Sequence, residues 1–214
     1  MIPSRFNNNL EKFHNCHKGQ IAILFATGSS VRKYKDFPDS ATAIKFGLNT
    51  IYNIPDIATQ LQYYYYGSGY YHNQNHRKNV DKMCAREDLV TFASAYENGV
   101  SHGIIKRGNI SPEDALLLRS NPFENNLSAF TNDIAKYSTM GHSIVFPAIQ
   151  HILYMGFSKV YLVGCDAGSE KSSDTDLLAL WTKFSIFKNK YYPDVDIISV
   201  NPVCLTDMFR YIRT

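Results

Sequence analysis

The chain has 214 residues, 44% of them hydrophobic and 19% charged, so it can bury a core and is not a disordered segment. The net charge of +3 comes from 22 basic and 19 acidic residues, a balance that argues against a nucleic-acid binder on electrostatic grounds. No apolar run approaches the ~20 residues of a membrane span, and the opening MIPSRFNNNLEKFHNCHKGQ lacks an apolar signal core, so a cytoplasmic protein is expected. Cys16, Cys84, Cys165 and Cys204 are widely spaced and form no CxxC pair, which argues against a disulfide framework or a local zinc site.

Strand-like and helix-like segments alternate along the chain, which predicts an α/β protein with a Rossmann-like, mostly parallel sheet flanked by helices. QIAILFA, residues 20–26, is a continuous apolar run and reads as a buried central strand. It stops at Thr27-Gly28-Ser29-Ser30. Ala43–Leu48 reads as a second strand ending at Asn49, and Gln62–Tyr66 as a third ending at Gly67-Ser68-Gly69. The tyrosines of that third segment fit a strand with a wet edge. A helix is expected over Asn75–Arg86 and a strand over Leu89–Ala95. Ser111 and Pro112 predict a short helix to Arg119, one by capping and the other by its place in the first turn. Residues 98–137 read as an irregular lid or small subdomain within a single domain, 1–214.

The last third is the most regular. Ser143–Met155 has Ile144, Ala148, Ile152 and Met155 on one stripe, with Pro147 in the first turn and Gly156 as terminator. Lys159–Gly164 reads as a strand, Asp174–Asn189 as a helix, Asp196–Val200 as a strand and Leu205–Ile212 as a final helix.

Ligands of open α/β sheets sit outside the carboxyl ends of the strands. The candidate loops are therefore 26–30, 48–50, 67–69 and 164–166, with the helix start at 138–143 as a fifth element that favours anions. The first loop is neither a P-loop nor a GxGxxG fingerprint. Asp166 suits a ribose hydroxyl, a metal or the start of a neighbouring helix. Asp174 and Asp176 have the spacing of metal-dependent sugar transferases, yet they open a helix whose dipole favours acids in any case. His142 suits a phosphate donor or a general acid/base.

Taken in order, HKGQIAILFATGSSVRKY, FGLNTIY, GHSIVFPAIQHILYMGFSKVYLVGCD and VDIISVNPVCLTDMF resemble the successive motifs of a family of bacterial and viral carbohydrate-active proteins. That family includes the CMP-sialic-acid-dependent sialyltransferases of lipooligosaccharide synthesis, with the related motility-accessory-factor and hydroxymethylpterin diphosphokinase-like domains. The resemblance spans residues 14–212 and is most specific over 141–166. It implies a glycosyltransferase that moves a sugar from a nucleotide-activated donor, CMP-linked in preference, to a glycan acceptor by direct displacement. It also implies donor contacts from Thr27, Gly28, Ser29, Asn49, Gly67, Ser68, Gly141, Ser143 and Asp166. The family's general-base histidine has no counterpart in residues 168–174, which leaves His142, Glu170 and Asp174 as candidates. No cofactor is required beyond the donor, and a divalent metal is not favoured. The expected partners are the nucleotide sugar and a glycan acceptor, with peripheral membrane contact a further possibility. The alternatives are a non-catalytic nucleotide- or glycan-binding module, and a diphosphate-sugar transferase that uses Asp174, Asp176 and a metal. Asn49→Ala is expected to weaken nucleotide binding while leaving the melting temperature nearly unchanged.

Overall fold

The computed structural model describes residues 10–67, 73–95, 116–119, 130–134, 143–169 and 172–214. Its main sheet has eight strands: β1 (Ile21–Phe25), β2 (Ile44–Leu48), β3 (Tyr63–Tyr66), β4 (Val90–Ala95), β5 (Leu116–Arg119), β6 (Lys159–Val163), β9 (Asp196–Val200) and β10 (Arg210–Ile212). The spatial order is β10-β9-β6-β1-β2-β3-β4-β5, and every pairing is parallel. A separate two-stranded hairpin joins β7 (Gly168–Ser169) to β8 (Ser172–Ser173).

Parallel strands bury both faces, and the sequence shows it. In β1, Ala22 and Leu24 enter one core while Ile23 and Phe25 enter the other, all four at most 1% exposed. The first core lies under helices α3 (Val145–Tyr154) and α4 (Thr175–Tyr191), which contribute Phe146, Ile149, Ile152, Trp181 and Phe184. Each such fully buried large side chain is worth about 1.5–3 kcal/mol relative to exposure. The second core lies under α1 (Pro55–Ala58), α2 (Gln74–Cys84) and several short 3-10 turns, with Val31, Ile51, Ile57 and Val80 at its centre.

The helix ends follow the sequence signals. Asp174 caps α4, its Oδ1 accepting the Leu177 N–H at 3.0 Å. Asn73 caps α2 through the Asn75 N–H. Gly156, with φ of +86°, follows α3.

Three expectations are corrected. Tyr63–Tyr66 has no wet edge: β3 lies between β2 and β4, and all four tyrosines are buried on alternating faces. Their hydroxyls find partners, Tyr63 with His17, Tyr64 with the Asn49 carbonyl and Tyr65 with His151. Leu116–Arg119 is not helical but pairs with β4 as an edge strand, since three consecutive leucines satisfy a sheet as well as a helix stripe. Leu205–Ile212 is a turn followed by β10 rather than a helix, because Arg210–Ile212 pairs with Ile198–Val200. Residues 98–115, 120–129 and 135–137 of the expected lid lie outside the described residues.

Candidate nucleotide pocket

The strand order reverses direction beside β1. From there the chain grows outward through β2 to β5, then returns to place β6 against the other side of β1. Such a switch point opens a crevice beyond the carboxyl ends of the two strands. A cavity of about 220 Å³ sits there. One wall is the β1 end, Ala26, Thr27 and Gly28. The β6 end, Gly164 to Gly168, faces it. Leu48 and Asn49 come from β2, Ser143 to Val145 open α3, and Leu177 and Trp181 come from α4.

The two strand ends meet by backbone. The Ala26 N–H donates to the Val163 carbonyl at 2.8 Å and the Gly28 N–H to the Gly164 carbonyl at 2.9 Å. A Cβ on Gly28 would lie 2.5 Å from the Gly164 oxygen and 2.6 Å from Asp166 Oδ2, so only glycine fits. Asp166 is 4% exposed. Its Oδ2 accepts the Ser30 N–H at 2.8 Å and the Ser29 hydroxyl at 3.3 Å, and its Oδ1 accepts the Ser30 hydroxyl in a short contact. Of the three roles open to Asp166 in the sequence, the observed one is holding the start of the 3-10 turn Ser29–Lys33.

Asn49 occupies the left-handed region at φ of +44°, which asparagine tolerates better than most residues. Its Oδ1 accepts the Gly67 N–H at 3.0 Å. Because that neighbour is a donor, the amide orientation is fixed and Nδ2 is the group left for a ligand. At the opening of α3, Ser143 Oγ accepts the Val145 N–H at 3.4 Å. The Phe146 N–H donates to the Ser143 carbonyl at 3.3 Å and Pro147 has no N–H, so the Ser143 hydroxyl proton and the positive end of the helix dipole are what favour an anion here.

Among the described lining residues there is no lysine, arginine or histidine. A bound anion would be held by amides, hydroxyls and the helix dipole. Burial pushes the Cys165 thiol well above its usual range, so it stays a neutral wall group. Among the described residues no three His, Cys, Asp or Glu side chains gather as a metal site, and no helix is long and apolar enough to cross a membrane.

Of the residues expected to bind a donor, Thr27, Gly28, Asn49, Ser143 and Asp166 line this one cavity. Ser29 and Gly67 stand behind it, bonded to Asp166 and Asn49 respectively. Asp174 is exposed and lies outside the lining, with its N–H on the Ala167 carbonyl and one carboxyl oxygen used as the cap. Ser68, Gly141, His142 and Glu170 lie outside the described residues. Sequence reasoning missed the apolar wall of Leu177 and Trp181. The signal was present, since they sit i, i+4 on the first turns of the helix that leaves the β6 loop.

No protein-family model matches the chain, and no curated protein does. Solved structures do. The likeness is one of fold, a parallel α/β sheet flanked by helices. The chain is similar to a mutant of the alpha-2,3/8-sialyltransferase CstII, at TM-score 0.51 and 14% identity over 90% of this chain and 86% of that one. It is also similar to the sialyltransferase CstII from Campylobacter jejuni in complex with the substrate analogue CMP-3FNeuAc, at TM-score 0.52 and 15% identity over 90% of this chain and 85% of that one.

Proposed function

We propose that this chain is a glycosyltransferase that transfers a sugar from a nucleotide-activated donor, CMP-linked in preference, to a glycan acceptor. The observation that carries the reading is the convergence of Thr27, Asn49, Ser143 and Asp166 on one cavity at the switch point. The likeness to CstII, one of whose structures holds a CMP-sugar analogue, supports the choice of donor.

In direct displacement, the acceptor hydroxyl oxygen bonds to the anomeric carbon as the bond from that carbon to the phosphate oxygen breaks. The phosphate leaves with the electron pair, and a base takes the acceptor proton. The Ser143 hydroxyl and the positive end of the α3 dipole would stabilise the charge that grows on the leaving phosphate. A single phosphate suits a wall whose described residues carry no cationic side chain better than a diphosphate does. Capping of α4 by Asp174 gives that residue a structural task, so the base is assigned to His142, next to the pocket residue Ser143, with Glu170 as the second candidate.

The test is a melting-temperature series with CMP, UDP and GDP, each with and without manganese. CMP at a hundred times its dissociation constant should add about 2.7 kcal/mol, or roughly 5–10 °C at this chain length. No shift with any nucleotide removes the transferase reading and the nucleotide-binding form of the module reading. A shift only with a diphosphate plus manganese moves the assignment to Asp174 and Asp176. A CMP shift without sugar transfer leaves a non-catalytic binding module.

A further inference from the structure

We infer that Asp166 is a positioning residue, acting on the pocket through Ser30, and not a ligand of the donor. The inference rests on the nucleotide-pocket reading above. The Asp166 carboxylate takes three donors from one short segment: the Ser30 N–H, the Ser30 hydroxyl and the Ser29 hydroxyl. Its backbone carbonyl accepts the Cys204 N–H at 3.2 Å. The residue therefore ties the β1 loop to the β6 loop and to the turn after β9.

Ser30 is 1% exposed and does not line the cavity. Whatever its hydroxyl contributes to binding, it contributes through Asp166 and the loop. The loop has little freedom to settle otherwise, because the Gly28 N–H is bonded to the Gly164 carbonyl and no room is left at Gly28 for even a methyl group beside that carbonyl and the Asp166 carboxyl. A carboxylate turned toward a phosphate would repel it. Turned toward two hydroxyls and an amide, it fixes Thr27 and Gly28 where a ligand meets them. Site geometry held within fractions of an ångström is what such supporting contacts supply.

The experiment is a double-mutant cycle with Ser30→Ala and Asp166→Asn, read in two ways. Titration with CMP should show each single variant binding about tenfold more weakly, a change of about 1.4 kcal/mol, and the double variant no more weakly than the worse single. Amide hydrogen exchange should quicken at residues 27–30 in each variant, with β2 and β3 unchanged. A double variant about a hundredfold weaker, the product of the singles, means that Asp166 touches the ligand on its own account and overturns the inference. So does unaltered CMP affinity in Ser30→Ala. If the wild-type chain binds no CMP, the pocket reading fails and amide exchange alone decides the clamp: unaltered exchange at 27–30 in both variants overturns it. Should Asp166→Asn fail to fold, Ser29→Ala combined with Ser30→Ala provides the same comparison of local exchange with CMP affinity.

Discussion

Asn49 shows why one side chain can carry both fold and ligand. It bends the chain at a positive φ, receives the Gly67 N–H on Oδ1 and the Tyr64 hydroxyl on its carbonyl, and lines the cavity with Nδ2 as its remaining donor. For Asn49→Ala a lowered melting temperature is therefore expected together with weaker binding, where the sequence alone pointed to an unchanged one. Alanine loses a hydrogen bond worth about 1 kcal/mol and is strained by roughly 1–2 kcal/mol at this φ. Asn49→Asp is the cleaner probe: it keeps the acceptor and tolerates the turn while losing the Nδ2 donor. Calorimetry should find CMP binding weakened at least tenfold, with the melting temperature within a few degrees of wild type. Gly28→Ala belongs to the same scale. The added methyl meets backbone and carboxylate rather than a flexible side-chain tip, so a loss of about 2 kcal/mol is expected. A melting scan should show roughly 4–8 °C.

At the level of elements, α3 is locked to the sheet by a buried histidine. His151 Nδ1 meets the Tyr65 hydroxyl at 2.8 Å, and the ring packs edge-on against Phe13 and Phe92. Its Nε2 is buried without a partner among the described residues, and burial lowers its pKa to about 3. An unfolded histidine titrates near 6.5. Between those two values the unfolded chain binds a proton that the native chain refuses. Stability is therefore complete above about pH 6.5 and falls as the pH drops toward about 3, by roughly 1.4 kcal/mol per pH unit once well below 6.5. Urea midpoints at pH 7.5 and 4.5 should show this loss in wild type. It should shrink in the paired variant His151→Leu, Tyr65→Phe, which removes both polar partners together. The elements themselves were unevenly legible. Long apolar runs such as QIAILFA, and helices with a cap and a stripe, announced themselves. The short edge strands β5 and β10 did not: three or four residues carry no decisive period, and only their long-range partners select the extended form. Four adjacent tyrosines looked half wet because the phenol is amphipathic, and nothing local revealed that His17, Asn49 and His151 would meet three of the hydroxyls.

At the scale of the whole molecule, the pair that builds the pocket is distant in sequence, with Ile21 registered against Lys159. The crevice cannot exist until more than half of the chain has been made and β6 has docked. Non-local parallel pairing of this kind predicts folding in milliseconds to seconds rather than microseconds, to be followed by stopped-flow. A fragment of residues 1–158 should expose an open β1 edge and aggregate, as light scattering would show. The same distance explains how much of the site could be read in advance. Strand-end loops pointed to Thr27, Asn49 and Asp166 one by one. Their meeting in one cavity is a property of the strand order, and the turning of Asp166 toward Ser30 is a property of side-chain packing.

The chain contains one tryptophan, Trp181, and it stands in the cavity wall. The protein thus carries its own optical gauge. Its indole emission comes from a single side chain beside the cavity, so filling the pocket should change intensity or colour without any label. A titration that left the spectrum untouched would locate binding elsewhere.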